Sequence, residues 1–426
     1  MSIPGKRVER GDPPPRTRNP PRHDAGVSLV ELMVALAVGA VVVLGLAEIL
    51  ANTNATYARE EAFARLQENG RIASMLLAKE MRPMRSTDCK SIAMHQEQGS
   101  LTVKACDLLE GGCTLGNDDY LSIHRALGYD QSDDLTSAAS LNDLPAAAAA
   151  NVADRYVGGD VLVAWGIDPN GTAVAAGLGS DGTGPIELVA AMGLEADDLA
   201  LISNCQYAHA FEVSGPENGP SATIQHAGAV NAASHLLAAA AYAGSAPYHQ
   251  QAGDPRAVVY PLVYRVFYVC CVRDGSLQTG SARDNCRPAE YAAVAPKGYR
   301  PALCMYDRGR GEGRSEVVVP NVADMRLTYS GDANADGELD YSGESAAEIA
   351  TDAKWASVRS AAVELLLATE ADNTARAPSA PTQSDWPPSD DATDRLGAAY
   401  PADGRLYQRF RFDVALRAST PWALWE

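Results

Sequence analysis

The chain has 426 residues, 54 acidic against 35 basic side chains, a formal net charge of −19, and 46% hydrophobic residues. That is ample length and apolar content for a core. The acidic balance argues against nucleic acid as a partner, because such binding depends on Lys and Arg neutralising phosphates.

The first element is a basic, proline-rich leader, Met1–Gly26. It carries Lys6, Arg7, Arg10, Arg16, Arg18 and Arg22 against three acids, so the chain without it stands near −22. From Val27 to Leu50 nearly every residue is apolar, the exceptions being Ser28, Glu31 and Glu48. Positive charge ahead of such a segment holds that end in the cytoplasm. An ordinary secretory signal places its small-residue cleavage site after the apolar stretch. Here the small residue, Gly26, precedes it. An ionisable group inside a membrane segment costs about 2.5–3.5 kcal/mol near its centre and points to function by default. Glu31 is such a group, and a plain anchor gains nothing from it.

Residues 26–33, GVSLVELM, resemble the processing site and first helical turns of type IV prepilins. The resemblance implies that a prepilin peptidase in the membrane cuts between Gly26 and Val27 and methylates the new amino group. Val27 stands where the family commonly has phenylalanine. It further implies that Glu31 pairs with the Val27 amine of a neighbouring subunit, each charge making the other tolerable in lipid.

Past the membrane segment, Phe63, Leu66, Ala73, Leu76 and Leu77 fall at helical spacing among charged residues, and Pro83 marks the expected helix end. The stretch Ala64–Arg71 (ARLQENGR) resembles the helix of PilW-type minor pilins. Four regions are expected: a cleaved leader over 1–26, a hydrophobic half-helix over 27–50, an amphipathic half over 51–83, and a β-rich head over 84–426.

The head reads as mostly β. Val161–Trp165, Val258–Val272, Val317–Val319, Met325–Tyr329, Val358–Ala368 and Tyr407–Leu416 have strand composition. In the last, Phe410, Phe412, Val414 and Leu416 alternate with Arg409, Arg411 and Asp413, predicting one buried face and one wet face. Ser137–Ala153, Asn170–Pro185, Ser214–Pro255 and Ala371–Asp394 read as polar, Gly- or Ala-rich surface insertions. The order Val317–Tyr329, acidic turn, Trp355–Leu367 as a Trp-containing strand, then Gly404–Arg417, is again similar to PilW-type proteins. The expected fold class is α+β and type IV pilin-like, a long helix packed on an antiparallel sheet with large loop insertions.

The eight cysteines are Cys89, Cys106, Cys113, Cys205, Cys270, Cys271, Cys286 and Cys304. On an exported head they are candidates for disulfides formed in an oxidising periplasm. Cys106 and Cys113 can staple a loop, and Cys286 and Cys304 bracket another. Cys270 and Cys271 are adjacent in a strand pattern, so they face opposite ways and pair with different partners.

The turn Asp332–Asp340, DANADGELD, sets oxygen ligands at alternate positions with a glycine for the bend. This matches the opening of an EF-hand-type loop, whose ligands fall at positions 1, 3, 5, 7 and 9. Asp332, Asn334, Asp336, the Glu338 carbonyl and Asp340 are the candidate Ca²⁺ ligands. Gly343 stands where the bidentate glutamate is expected, with Glu344 one residue later. A solvated acidic hairpin turn is the other reading of the same residues.

No P-loop, GxSxG elbow or HExxH helix occurs, and the expectation is not an enzyme. The resemblance implies a minor pilin that primes assembly of a type IV pilus and sits at or near its tip. Its implied partners are other minor pilins, the major pilin, the prepilin peptidase and a large tip adhesin. It would rest in the bacterial inner membrane with its head in the periplasm before assembly. The alternatives are a minor pseudopilin of a type II secretion system and a membrane-tethered adhesin or calcium-binding surface protein.

Overall fold

The structure, a computed structural model, describes residues 28–84, 104–107, 127–130, 146–175, 184–204, 207–226, 257–286, 298–308, 313–334, 336–352, 354–369 and 407–416. The chain divides into two units, Met1–Tyr57 and Ala58–Glu426. The polar stretch at 51–54 therefore goes with the apolar half of the helix, and docking on the head begins only after Tyr57.

Helix α1 is Leu29–Met81. It opens on a Ser-x-x-Glu cap: Ser28 Oγ accepts the N–H of Val30, and the Glu31 carboxylate accepts that of Ser28, both at 3.3 Å. Through its polar middle, the Thr53 and Thr56 hydroxyls donate to the carbonyls of Ile49 (2.8 Å) and Asn52 (2.9 Å). The chain turns over Arg82–Met84, where Pro83 cannot continue the helix.

The strands are β1 (Lys104–Asp107), β2 (Gly128–Tyr129), β3 (Tyr156–Ile167), β4 (Thr172–Ala173), β5 (Ile186–Met192), β6 (Leu199–Ser203), β7 (Tyr207–Glu212) and β8 (Ser221–Ile224). They continue as β9 (Val258–Arg273), β10 (Ser276–Leu277), β11 (Tyr299–Asp307), β12 (Arg314–Pro320), β13 (Val322–Gly331), β14 (Tyr341–Glu344), β15 (Val358–Ala368) and β16 (Tyr407–Ala415). Among the described residues they form a ten-stranded sheet, a four-stranded sheet in the order β14-β13-β15-β16, and the pair β5-β8. Strand β9 organises the large sheet, bonding β3 and β11 along most of its length and β4, β6 and β10 near its ends. Its central residues, Val266–Val272, are all buried.

The two larger sheets meet where β3 crosses β13. Gly159, at φ +77°, lets the backbone approach so closely that a Cβ would lie 2.6 Å from Asp324 Oδ1. The next residue, Asp160, is buried, and its carboxylate accepts the N–H of Leu327 at 2.6 Å. A diglycine bulge thus aims one carboxylate at an orphan donor of the facing sheet. A smaller core of Ile186, Leu188, Ile202, Phe211 and Ile224 lies between β5-β8 and the β6–β7 end of the large sheet.

Several sequence expectations are corrected. Ala146–Ala153 is helix α2, not part of a loop: alanine favours the helix most, and Ala148, Ala149 and Val152 bury into the core. The insertion at 214–255 contains strand β8, and that at 170–185 contains β4. Trp355 sits in a 3-10 turn, Trp355–Ser357, before β15, its ring edge-on to Tyr329 with centroids 5.0 Å apart. The head is not wholly antiparallel, since β1 runs parallel to β7. Phe63 faces outward; the buried stripe is Ala62, Leu66, Gly70, Ala73, Leu77 and Met81. Ala371–Asp394 lies outside the described residues.

Gly70 lies directly beneath β16, where an added Cβ would collide with the Phe410 ring. Gly70→Val is expected to destabilise the head by about 1–3 kcal/mol, as overpacking does. A double-mutant cycle with Phe410→Ala should return a coupling of about 0.5 kcal/mol or more, and strictly additive losses would show that the ring is not the obstacle.

Candidate functional site

The features that carry chemistry are the two halves of α1, the cysteines and the acidic turn. In the first unit, every side chain from Ser28 to Asn54 is exposed, including Leu29, Leu32, Leu36, Val41, Leu44 and Leu50. Glu31 is on the first turn and bonds its own helix start. By length and composition this helix can cross a membrane. Gly26, Val27 and the leader lie outside the described residues.

In the second unit, each part of the ARLQENGR phrase has a physical role. Leu66 is buried, Asn69 Nδ2 donates to the Pro320 carbonyl at 3.3 Å, and Gly70 makes room for Phe410. Arg65 and Arg71 stay outside, paired with Glu61 (2.7 Å) and Glu68 (3.1 Å). Such exposed pairs add little stability. One residue before the helix end, Glu80 is buried and accepts from Arg265 of β9, which also bonds Asp307 of β11 at 2.9 Å. Burial alone would lower the Arg265 pKa, but Asp307 and Glu80 outweigh it and hold the guanidinium above its usual range. This clamp is not legible in the sequence. Arg265 stands among strand hydrophobics, and only its position on the buried β9 marks it.

On the small sheet, Arg409 and Arg411 of the edge strand β16 both donate to the buried Glu364 of β15. The wet face of β16 is therefore an ion-pair face.

Cys270 joins Cys304, and Cys271 joins Cys286, with Cα separations of 5.8 and 5.4 Å. Adjacent residues of β9 thus staple β11 and the 3-10 turn Gly280–Cys286. Cys286 and Cys304, which bracket one segment, are each bonded to β9 and not to each other. Cys89, Cys113 and Cys205 lie outside the described residues, as does the side chain of Cys106.

The acidic turn joins β13 to β14. Asp332 Oδ2 accepts the N–H of Gly337 at 3.1 Å and faces Arg359 Nη2 at 3.5 Å. Asp340 accepts the N–H groups of Ala333 (2.6 Å) and Asn334 (3.0 Å), and Asn334 and Asp336 cap the N–H groups two residues on. Gly337 has φ +93°, as the bend requires. The turn brings together the side chains of Asn334 and Asp340, which bond at 3.2 Å. Among the described residues, however, no three Asp, Glu, His or Cys side chains converge as a metal cluster.

Residues 21–47 match the prokaryotic N-terminal methylation motif. The structure is similar to a type IV-like pilin from Thermus thermophilus, with 14% identity over 37% of this chain and 80% of that one and a TM-score of 0.16. At that level two chains need not share a head. No curated protein sequence matches this one. The motif, together with the apolar helix that carries it, supports a type IV pilin-like protein that is anchored in a membrane. The fold is α+β, as the long helix and the sheet-rich head require.

Arg265→Met should leave the buried Glu80 carboxylate without its partner. Breaking a buried pair costs about 3–5 kcal/mol; because Arg265 is partly exposed, a loss near 2 kcal/mol is expected in thermal unfolding. Glu80→Gln, which keeps an acceptor, should cost less.

Proposed function

We propose that this chain is a minor pilin of the PilW type, which primes assembly of a type IV pilus and is retained at or near its tip. The observation that carries the reading is the helix of exposed apolar side chains with Glu31 on its first turn, coincident with the methylation motif at 21–47. In the bilayer, lipid covers these side chains; in the fibre, the helices of neighbouring subunits do. Cleavage after Gly26 frees the Val27 amine, and Glu31 of one subunit receives the amine of the next. The electrostatic match sets the register of an otherwise featureless apolar bundle.

The head favours an end position. Residues 84–426 make a bulky, acidic body, with polar segments between strands that lateral stacking at every repeat would have to accommodate. At the end of a fibre such a body is free to meet other minor pilins and a large tip adhesin. The role is structural, and movement of the fibre belongs to a separate motor.

The intact mass and N-terminal sequence of the membrane-extracted chain test the first step. A chain that begins at methylated Val27 only when the prepilin peptidase is present is expected. A leader retained in both strains would make the protein a tethered surface protein instead. Gly26→Asp should block maturation. Glu31→Ala should leave cleavage intact but lower surface piliation several-fold; full piliation in that variant would remove the pairing step. Co-purification with pilus subunits, as opposed to secretion-system components, separates the pilin from a minor pseudopilin.

A further inference from the structure

The turn between β13 and β14 holds an unused buried carboxylate oxygen. Asp332 is 4% exposed, its Oδ2 is engaged by the Gly337 N–H and Arg359, and its Oδ1 is buried with no hydrogen-bond partner. An unmade bond at a buried charged oxygen is costly, so such an atom calls for an explanation. Oδ2 is met by the Gly337 N–H from inside the turn and by Arg359 from β15, so the carboxylate sits at the base of the loop, between it and β15. Asp332 is also the first residue of the Asp-x-Asn-x-Asp-Gly-x-x-Asp spacing, the place where a calcium loop puts its first ligand.

We propose that this turn binds one Ca²⁺, with Asp332 Oδ1 as its buried anchor. Asn334 Oδ1, the Asp336 carboxylate and the Glu338 carbonyl supply the next ligands at alternate positions, with Asp340 and water completing six to eight oxygens. The turn as it stands is pre-shaped but open. Asp340 is occupied by the N–H groups of residues 333 and 334, and the three aspartates do not converge. Binding draws Asp336 inward, and among the described residues its side chain gives up the Glu338 N–H.

Charge supports the same occupant. Asp332, Asp336, Glu338 and Asp340 lie within nine residues, and Arg359 is held against Asp332. A mixed set of carboxylates, an amide and a carbonyl on a flexible turn suits Ca²⁺ better than Mg²⁺, which demands near-ideal octahedral geometry. The missing bidentate glutamate places the site among weak extracellular modules, with Kd about 10⁻⁴–10⁻³ M. The site requires only the folded head, so it stands or falls independently of the pilus reading.

The test is thermal unfolding of the full-length chain in detergent, in 5 mM CaCl₂, 5 mM MgCl₂ and EGTA, with calorimetric titration of CaCl₂. Calcium should raise Tm by about 2 °C or more over EGTA, magnesium should not, and one site should titrate. Asp336→Ala should keep the Tm seen in EGTA and lose the calcium shift, because that exposed side chain does no more than cap its own turn. Asp332→Asn should lose the shift too, at some cost in basal stability. No calcium shift in the wild type, an equal magnesium shift, or a calcium shift that survives Asp336→Ala would each overturn the site.

Discussion

The constraint on which this protein depends is that a run of apolar side chains has no partner among the described residues. Between Leu29 and Leu50, fourteen large hydrophobic residues are more than half exposed. At about 1.5–3 kcal/mol for each fully buried side chain, moving them out of water is worth on the order of 20–40 kcal/mol. The cost of taking Glu31 along is about 2.5–3.5 kcal/mol. The apolar term therefore decides where the helix goes. In the proposed bundle, the carboxylate sets the alignment of that helix with its neighbours, since sliding it away from their amines carries an electrostatic penalty.

The second half of α1 solves a different problem, that of holding a head to a helix. It does so with few groups. A narrow buried stripe fits the sheets, Gly70 removes the side chain that Phe410 would strike, and Asn69 satisfies the last carbonyl of β12. The Glu80–Arg265 pair fixes the end of the helix against β9. Nothing in this half needs lipid, which is why the chain's compact unit begins at Ala58 and not at the start of the helix.

Legibility followed the physics of burial. Strands with one wet face and one dry face, such as β16, were readable from alternation, and β9 and β15 from their length and branched residues. Short strands were harder to see. In β6, five residues are all buried and leave no alternation. In β11, Pro301 speaks against a strand. It is tolerated because β12 pairs only from Ala302 onward, so Pro301 needs no donor on that side. Helix α2 was hidden by its alanines, which resemble linker composition yet bury without a side-chain period to announce it. At the site, the place of Glu31 near the start of the apolar helix and the spacing of the acidic turn were legible, whereas the helix cap that Glu31 makes with Ser28 was not. The Glu80–Arg265 clamp and the orphaned Asp332 oxygen were not, because each depends on which residues from distant segments end up facing each other.

Strand β9 joins these features into one load path. It carries Arg265, which grips the helix, and a few residues further on Cys270 and Cys271, which fasten it to β11 and to the 3-10 turn. A 15-residue disulfide loop contributes about 3 kcal/mol in the chain-entropy view. Any pull on the helix reaches the head first through its buried stripe and through Arg265, and so enters a strand stapled on both faces. In the proposed role, a subunit that leaves a membrane by its helix needs its head to stay folded during transfer. Strength placed in β9 serves that need better than the same bonds placed at the sheet edges, where they would stabilise the fold without bracing the point of attachment.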